Sequence, residues 1–508
     1  MKAKNRYILL LTALYFAISY VGILHHELWL DEAHHWLLAR DSGSFSELVQ
    51  ATRIEGHPIL WNVLLFGITR FTWNPFWMQL LNVLIATASV SVFLWKAPVS
   101  LPFKILFIFG YFMIFEYNLI SRNYMLGVLF LFLACAAFRD RKQNFALLCF
   151  WLALAANVHL MFSVIAFALL LALIVENYQQ QKLFDKSYLV GYIIFSIGIL
   201  LLFVQILSSN SGWFFGSINQ NPFSEKISKG LISFFKGIVL LPDFRTLHFW
   251  NTNLIVVLSR KLSVVLGLMI YFLPLFVFRK KHALFFVYIA LIGMQVFFFI
   301  TQRAAARFHG MAFLIVIIGF WIEHYYVSDH SKFKNISIRF DLTKFKKAIL
   351  YSILILHCFS GIIAYYIDFT QPFASAKEIV DFVRSKKLDQ LPIMALTCDG
   401  TVPSAYFEKK IWFLYDHSYQ SYCHWDGNFP SNVSASEIAV LIGDFMKNHN
   451  RAVYISYDPI VKNSETGIWI PISNEVKVRF LKAFVNNAVV SDKYYIFEVS
   501  RITETNQR

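Results

Sequence analysis

Charge is scarce in this sequence: 15% of its 508 residues are Asp, Glu, Lys or Arg, while 57% are hydrophobic. Soluble globular chains do not carry that balance. Cysteine is scarcer still, five in all, which excludes a small disulfide-stapled secreted fold. With 21 Gly and 13 Pro, collagen-like architectures are excluded too, and so apolar a chain is not disordered. Acidic residues number 31 against 46 Lys and Arg, leaving a net charge of +15. In a soluble protein that excess would suggest nucleic acid. Here the basic residues stand in short clusters between apolar runs, the pattern of membrane orientation, and no nucleic-acid partner is expected.

Long apolar runs are what the sequence has in plenty. About 20 residues cross a hydrocarbon core, and the first candidate covers 7–24, after Lys2, Lys4 and Arg6. It is longer than a cleavable leader's apolar core and lacks a small-x-small site, so an uncleaved anchor with a cytoplasmic N-terminus is expected. Further spans are predicted at 76–95, 103–121, 123–138, 145–159, 160–175, 188–207, 262–278, 283–300, 308–327 and 348–367. Residues 57–73, interrupted by Pro58, Asn62 and Arg70, are assigned to the outer interface. Every basic cluster then falls on one side, from Lys96 and Lys104 to the run at 332–347, as the positive-inside rule requires. Eleven spans place the C-terminus outside.

The expected fold class is therefore a polytopic α-helical membrane protein over 1–367, its first outer loop at 25–75, followed by a non-cytoplasmic α/β domain over 368–508. In that tail, helices are predicted at 375–387, 435–448 and 475–486, with β-rich runs at 391–397, 411–415, 451–457 and 494–500. Cys398 and Cys423 both fall there, where oxidising conditions let bridges persist, and are expected to pair.

The first outer loop is the most informative segment. It sets Asp31 and Glu32 just beyond the first span, where an ionised carboxylate is costly without a role. Helix capping by Asp31 is the structural alternative. The string Asp31-Glu-Ala-His34 resembles a helicase motif, but no G-x-x-x-x-G-K-[ST] phosphate loop accompanies it. Histidines at 25, 26, 34 and 35 invite a metal reading, yet H-E-x-x-H fails because position 30 is Leu. A divalent metal is not favoured, and no cofactor is expected.

Further polar residues follow: Glu55, His57, Glu116, Arg122, Tyr124, Asn157, His159, Arg303, Arg307 and His309. On the predicted map all sit at outer span ends or in outer loops. Singly, each reads as a snorkelling arginine or a satisfied core histidine. Together they mark a substrate path. A carboxylate can act as general base toward a hydroxyl, and arginines can hold a phosphate and stabilise it as a leaving group. At a membrane surface above an apolar groove, that phosphate belongs to a lipid.

The run Leu30-Asp-Glu-Ala-His-His-Trp36, followed by Glu55-Gly-His-Pro-Ile-Leu-Trp61, resembles the first-loop signature of the GT-C membrane glycosyltransferases. Within that class it is most similar to the PMT-like group of protein O-mannosyltransferases and aminoarabinose transferases. Residues 115–126 resemble the group's second outer-loop motif, and Arg307-Phe-His-Gly310 its later arginine segment. The resemblance covers about residues 5–330. It implies a polyprenyl-phosphate-linked sugar donor, an acceptor hydroxyl reached from the non-cytoplasmic side, and inverting transfer in a membrane such as the bacterial inner membrane. It also implies Asp31 as catalytic base, Glu32 as its partner and Arg122 as a phosphate contact. Arg307, His57, Glu55, Glu116, His159, His309 and Tyr124 are the other candidate donor or acceptor contacts. Two departures stand out: the usual His-Pro-Pro reads His57-Pro-Ile59 here, and the second loop lacks the D-x-D-like acids of the metal-dependent oligosaccharyltransferases. A lipid or solute transporter with an outward polar pocket is the competing reading. Such a protein would place its ionisable residues near the bilayer midplane, often in inverted repeats, and the sequence has neither.

Overall fold

The computed structural model describes residues 2–53, 55–207, 221–302, 305–326, 342–424, 433–461 and 466–502. Arg303 and the basic residues Lys332, Lys334 and Arg339 lie outside the described residues.

The apolar runs are helical because, in lipid, every backbone group must be satisfied within its own segment. In chain order the helices are α1 (Lys2–Ile23), α2 (Leu30–Asp41), α3 (Phe45–Thr52), α4 (Leu60–Thr69), α5 (Phe76–Lys96), α6 (Leu101–Ile108), α7 (Tyr124–Phe138) and α8 (Phe145–Ala156). Then come α9 (Leu160–Gln179), α10 (Lys186–Leu207), α11 (Phe223–Ile238), α12 (Leu254–Leu258), α13 (Arg260–Val277), α14 (Lys281–Thr301), α15 (Ala306–Glu323) and α16 (Leu342–Thr370). Among the described residues, eight helices are long and apolar enough to cross a membrane: α1, α5, α9, α10, α13, α14, α15 and α16. The shorter apolar helices α7 and α8 fall on the spans expected at 123–138 and 145–159. Helix α4, with ten residues, reaches only about 15 Å, too short to span.

One expected span is corrected. The stretch 103–121 is not a continuous helix: α6 stops at Ile108, and Phe112–Glu116 forms a π-helical turn. Asn82 from α5 supports the irregular backbone that follows, donating through Nδ2 to the carbonyls of Tyr117 (3.0 Å) and Asn118 (2.7 Å). A carbonyl ladder broken inside an apolar unit needs such a partner.

The chain divides into two compact units. The helical unit contains 1–22, 55–61 and 80–366, and the second contains 23–54, 62–79 and 367–508. The first-loop segments thus cluster with the tail. Within the helical unit, α11 and α15 approach closely at Gly237, where a Cβ would collide with the carbonyl of His309.

The second unit is built on a mixed seven-stranded sheet, in the order β3-β2-β1-β4-β7-β6-β5. Its strands are β1 (Ile393–Ala395), β2 (Ile411–Phe413), β3 (Ser418–Gln420), β4 (Arg451–Ser456), β5 (Trp469–Pro471), β6 (Val476–Phe484) and β7 (Tyr494–Arg501). Strand β1 pairs parallel with β2 and β4, and the remaining pairs are antiparallel. Helices α17 (Ala376–Ser385), α18 (Thr401–Phe407) and α19 (Ala435–Met446) complete it. Ile442, Phe445 and Met446 of α19 close an apolar core with Met394, Tyr454, Val478 and Phe497 from the sheet. The helix expected at 475–486 is strand β6. Its first five residues alternate apolar with basic, and a register shift between Phe480 and Lys482 then breaks the period. Cys398 and Cys423 are joined by a disulfide, with Cα atoms 4.9 Å apart.

Candidate active site

Two groups of ionisable side chains stand out, one in each unit. In the helical unit the focus is the π-helical turn. Such turns re-aim side chains and recur at functional sites. Here the turn holds Glu116, 1% exposed, whose Oε2 accepts from Tyr111 Oη and Trp250 Nε1, each at 3.0 Å. The Arg307 guanidinium acts electrostatically on the same carboxylate. Arg307 lies over the rings of Phe308 (4.9 Å) and Trp250 (6.0 Å), and its carbonyl accepts from Tyr117 Oη at 2.8 Å. Gly310 gives that tyrosine room: a Cβ there would overlap the Tyr117 hydroxyl and the Phe112 ring.

Tyr117 stacks on Tyr124 at 5.6 Å, and the Arg122 guanidinium lies 5.9 Å from the Tyr124 ring. Tyr124 in turn meets His159 at 5.4 Å, and His159 meets His57 at 4.9 Å. His159 is the N-cap of α9, its Nδ1 accepting from the Met161 amide at 3.1 Å. In the neutral ring the proton therefore sits on Nε2. Asn123 Nδ2 donates to the Val158 carbonyl at 2.9 Å, tying the start of α7 to the start of α9.

His57, Glu116, Arg122, Tyr124, His159 and Arg307 are thus linked ring by ring along one aromatic wall. His309 is 2% exposed, and neither ring nitrogen has a hydrogen-bond partner among the described residues. It lies in the field of Arg307 and Lys236. Glu55 is half-buried in the turn before His57. Sequence reasoning missed Trp250 and Lys236. Lys236 Nζ donates to the Asn251 carbonyl (3.2 Å), and Asn251 Oδ1 accepts the Ala306 amide (2.7 Å), which fixes the start of α15.

In the α/β unit the centre is His26, 3% exposed. Its Nδ1 meets Asp368 at 3.0 Å and its Nε2 meets Glu32 Oε2 at 3.3 Å. Burial opposes protonation, but the charges and hydrogen bonds of Asp368 and Glu32 outweigh it and raise the imidazole pKa to about 10. Glu32 also accepts the Trp29 amide at 3.2 Å, so it caps α2 from within. The N-cap is Trp29, not Asp31, and capping therefore does not account for Asp31, which is half-buried in the first turn. The other loop histidines have different surroundings: His35 meets Asn62 Oδ1 at 2.9 Å, and His34 packs edge-on to Tyr422 at 5.3 Å.

Two more acids complete this group. Glu27 is pushed up to about 8 by burial and by Glu378. Asp492 is raised to about 7 by burial, with the charges of Asp31 and Glu32 adding to the effect. Its loop is pinned to the segment before α17: the amides of Ala488 and Val489 donate to Pro372 (3.1 Å) and Phe373 (3.0 Å). Phe373 packs 4.7 Å from His26. No sequence signal marked Asp492, which reads as an ordinary turn residue. Among the described residues, no group of three or more His, Cys, Asp or Glu is disposed to hold a metal ion.

Comparison with known proteins gives a likeness of fold. No family model matches the chain, and no curated protein matches it by sequence. The crystal structure of ArnT from Cupriavidus metallidurans bound to undecaprenyl phosphate superposes with a TM-score of 0.50 at 11% identity, covering 97% of this chain and 98% of that one. The apo state of the same protein gives 0.47 at 9% identity, covering 98% of each chain. The chain thus has an ArnT-like fold, a helical membrane bundle with a C-terminal β-containing domain.

Proposed function

We propose that this protein transfers a sugar from a polyprenyl-phosphate-linked donor to an acceptor hydroxyl at the non-cytoplasmic membrane face, with inversion at the anomeric carbon. The observation that carries the reading is the aromatic wall of the helical unit, where Arg122 and Arg307 are held over rings at the starts of α7 and α15. Guanidinium groups so placed suit a phosphate that gains charge as its bond to the sugar breaks. The ArnT-like fold adds support, since that protein was crystallised with undecaprenyl phosphate.

In this reading Asp31 accepts the proton of the acceptor hydroxyl as its oxygen attacks the anomeric carbon. The carbon–oxygen bond to the lipid phosphate breaks, and its electron pair leaves with the phosphate. A single displacement needs one base and one stabilised leaving group, unlike the paired carboxylates of most glycoside hydrolases. Glu32 is the weaker candidate for base, because His26 and the Trp29 amide already engage it. It positions α2 instead. The N-terminus lies in the cytoplasm and the α/β unit outside, the orientation that the basic clusters favour.

The test is mass spectrometry of lipids that co-purify with an Asp31→Asn variant. A sugar-bearing polyprenyl phosphate, enriched over the wild type, is the expected result. Finding bulk phospholipid alone in repeated preparations, together with movement of an intact solute by the wild type in vesicles, would favour a transporter.

A further inference from the structure

The far end of the helical unit carries a second polar site. Helices α7, α9 and α15 begin at Tyr124, Leu160 and Ala306, beside the aromatic wall, and end at Phe138, Gln179 and Glu323. At about 1.5 Å per residue, the 18 residues of α15 extend about 27 Å, close to the thickness of a hydrocarbon core. Around those far ends lies a cavity of about 520 Å³, within the size range of small-molecule sites. Five cations line it, Arg139, Arg141, Lys142, Lys280 and Lys281, against the carboxylates of Asp140 and Glu176.

One of these pairs is already closed. Arg141 forks onto Glu176 at 2.9 and 2.6 Å, and its guanidinium is clamped between the rings of Phe138 (4.6 Å) and Tyr326 (4.9 Å). His282 stacks on the other partner of that clamp, Tyr326, at 5.0 Å. One wall of the cavity is thus held in place, and the lining as a whole carries five cations against two acids. Such an excess in a concave site seeks an anion. The site lies at the ends of apolar helices, and tyrosines at its rim are the residues that settle at headgroup depth. Basic pockets between membrane helices hold anionic headgroups through the same chemistry.

We propose that this cavity binds the phosphate headgroup of an anionic membrane lipid, at the membrane face opposite the aromatic wall. It is a second phosphate site, independent of the transfer reaction.

The experiment uses the full chain, stripped of lipid in detergent and titrated with dioleoyl phosphatidylglycerol, with dioleoyl phosphatidylcholine or with inorganic phosphate. Bound lipid is read by native mass spectrometry and stabilisation by thermal unfolding. Phosphatidylglycerol is expected to bind and raise the unfolding midpoint, phosphatidylcholine to do neither. Each cation near a lipid surface contributes about fivefold in affinity, so Arg139→Gln with Lys142→Gln should weaken phosphatidylglycerol binding about 25-fold. Both side chains are exposed, so the pair should fold normally. Lys186→Gln, outside the cavity lining, should change affinity much less. Equal binding of the two lipids, or a double variant that binds like wild type, would overturn the proposal. So would an equal loss in Lys186→Gln, which would mean unspecific charge attraction. Inorganic phosphate that displaces phosphatidylglycerol at millimolar concentration would assign the cavity to a soluble anion instead.

Discussion

The two units bury ionisable groups of opposite character. The helical unit holds Arg122 and Arg307 over aromatic rings and Lys236 against the Asn251 carbonyl, with Glu116 locked by Tyr111 and Trp250. The α/β unit collects Glu27, Asp31, Glu32, Asp368 and Asp492 around His26. A guanidinium on a ring face is weakly hydrated, which suits it to an anion. Glu27 and Asp492, raised by burial to about 8 and about 7, can take up and release protons at working pH. The contrast sorts the candidates for the proposed transfer by charge: those suited to a phosphate are in the helical unit, those suited to protons in the α/β unit.

After the loss of the base itself, the largest effects should come from the cationic side. Arg307→Ala is expected to lower transfer about 10²–10³-fold, the cost of losing one preorganised donor to a developing oxyanion. Arg307→Lys should recover part of it, because charge returns without the planar fork. Steady-state rates for these variants and for Arg122→Ala decide the matter, and wild-type turnover in both alanine variants would move the phosphate site elsewhere.

Next is the disulfide. Cys398→Ser should destabilise the α/β unit by about 3 kcal/mol, the loop-closure value for a bridge of this span, and leave the helical unit untouched. Two separately monitored unfolding transitions would check that. A single transition shifted as a whole would show that the units unfold together.

A smaller loss, about 1–3 kcal/mol, is expected for Trp250→Phe, which removes a donor from a buried carboxylate. It should appear in the stability of the helical unit alone.

A pH dependence is expected in the α/β unit as well. Asp492 and Glu27 have folded pKa values of about 7 and 8, above those of an unfolded chain. The folded state then binds more protons, so their contribution falls as pH rises from about 4 and levels off above the folded values. His26, raised to about 10, has the opposite origin: its contribution is complete below about 6.5 and is lost as pH climbs toward 10. Asp492→Asn should flatten the unfolding profile between pH 4 and 7, while Glu27 keeps some slope. An unchanged profile would mean that Asp492 is ionised in the folded protein.

Much of this was legible beforehand. Long apolar runs give helices because lipid leaves the backbone no other partner, and α5, α9 and α14 lie within a few residues of the expected spans. Candidate residues from three distant segments, at 57, 122–124 and 307, meet along one wall. Their common side of the map was the signal. The break after Ile108 was not legible, since a run of Phe, Ile and Leu reads alike in an α-helix and a π-turn, and Trp250, whose indole meets Glu116 there, comes from a distant segment. Strand β6 is not legible as a strand because Val476 to Phe480 alternates for only five residues before the bulge. Asp492 needed the fold outright: only the pairing of its loop with 372–375 brings it near His26.

The central claim is that Asp31 is the base of a sugar transfer, and turnover measured beside stability on one purified Asp31→Asn protein tests it most directly. The substitution keeps size and hydrogen bonding but removes basicity. Transfer should fall by about 10²–10⁴-fold, with the unfolding midpoint and donor binding as in wild type. A variant that is stable and fully active, or one that loses stability while keeping its turnover, would contradict the assignment.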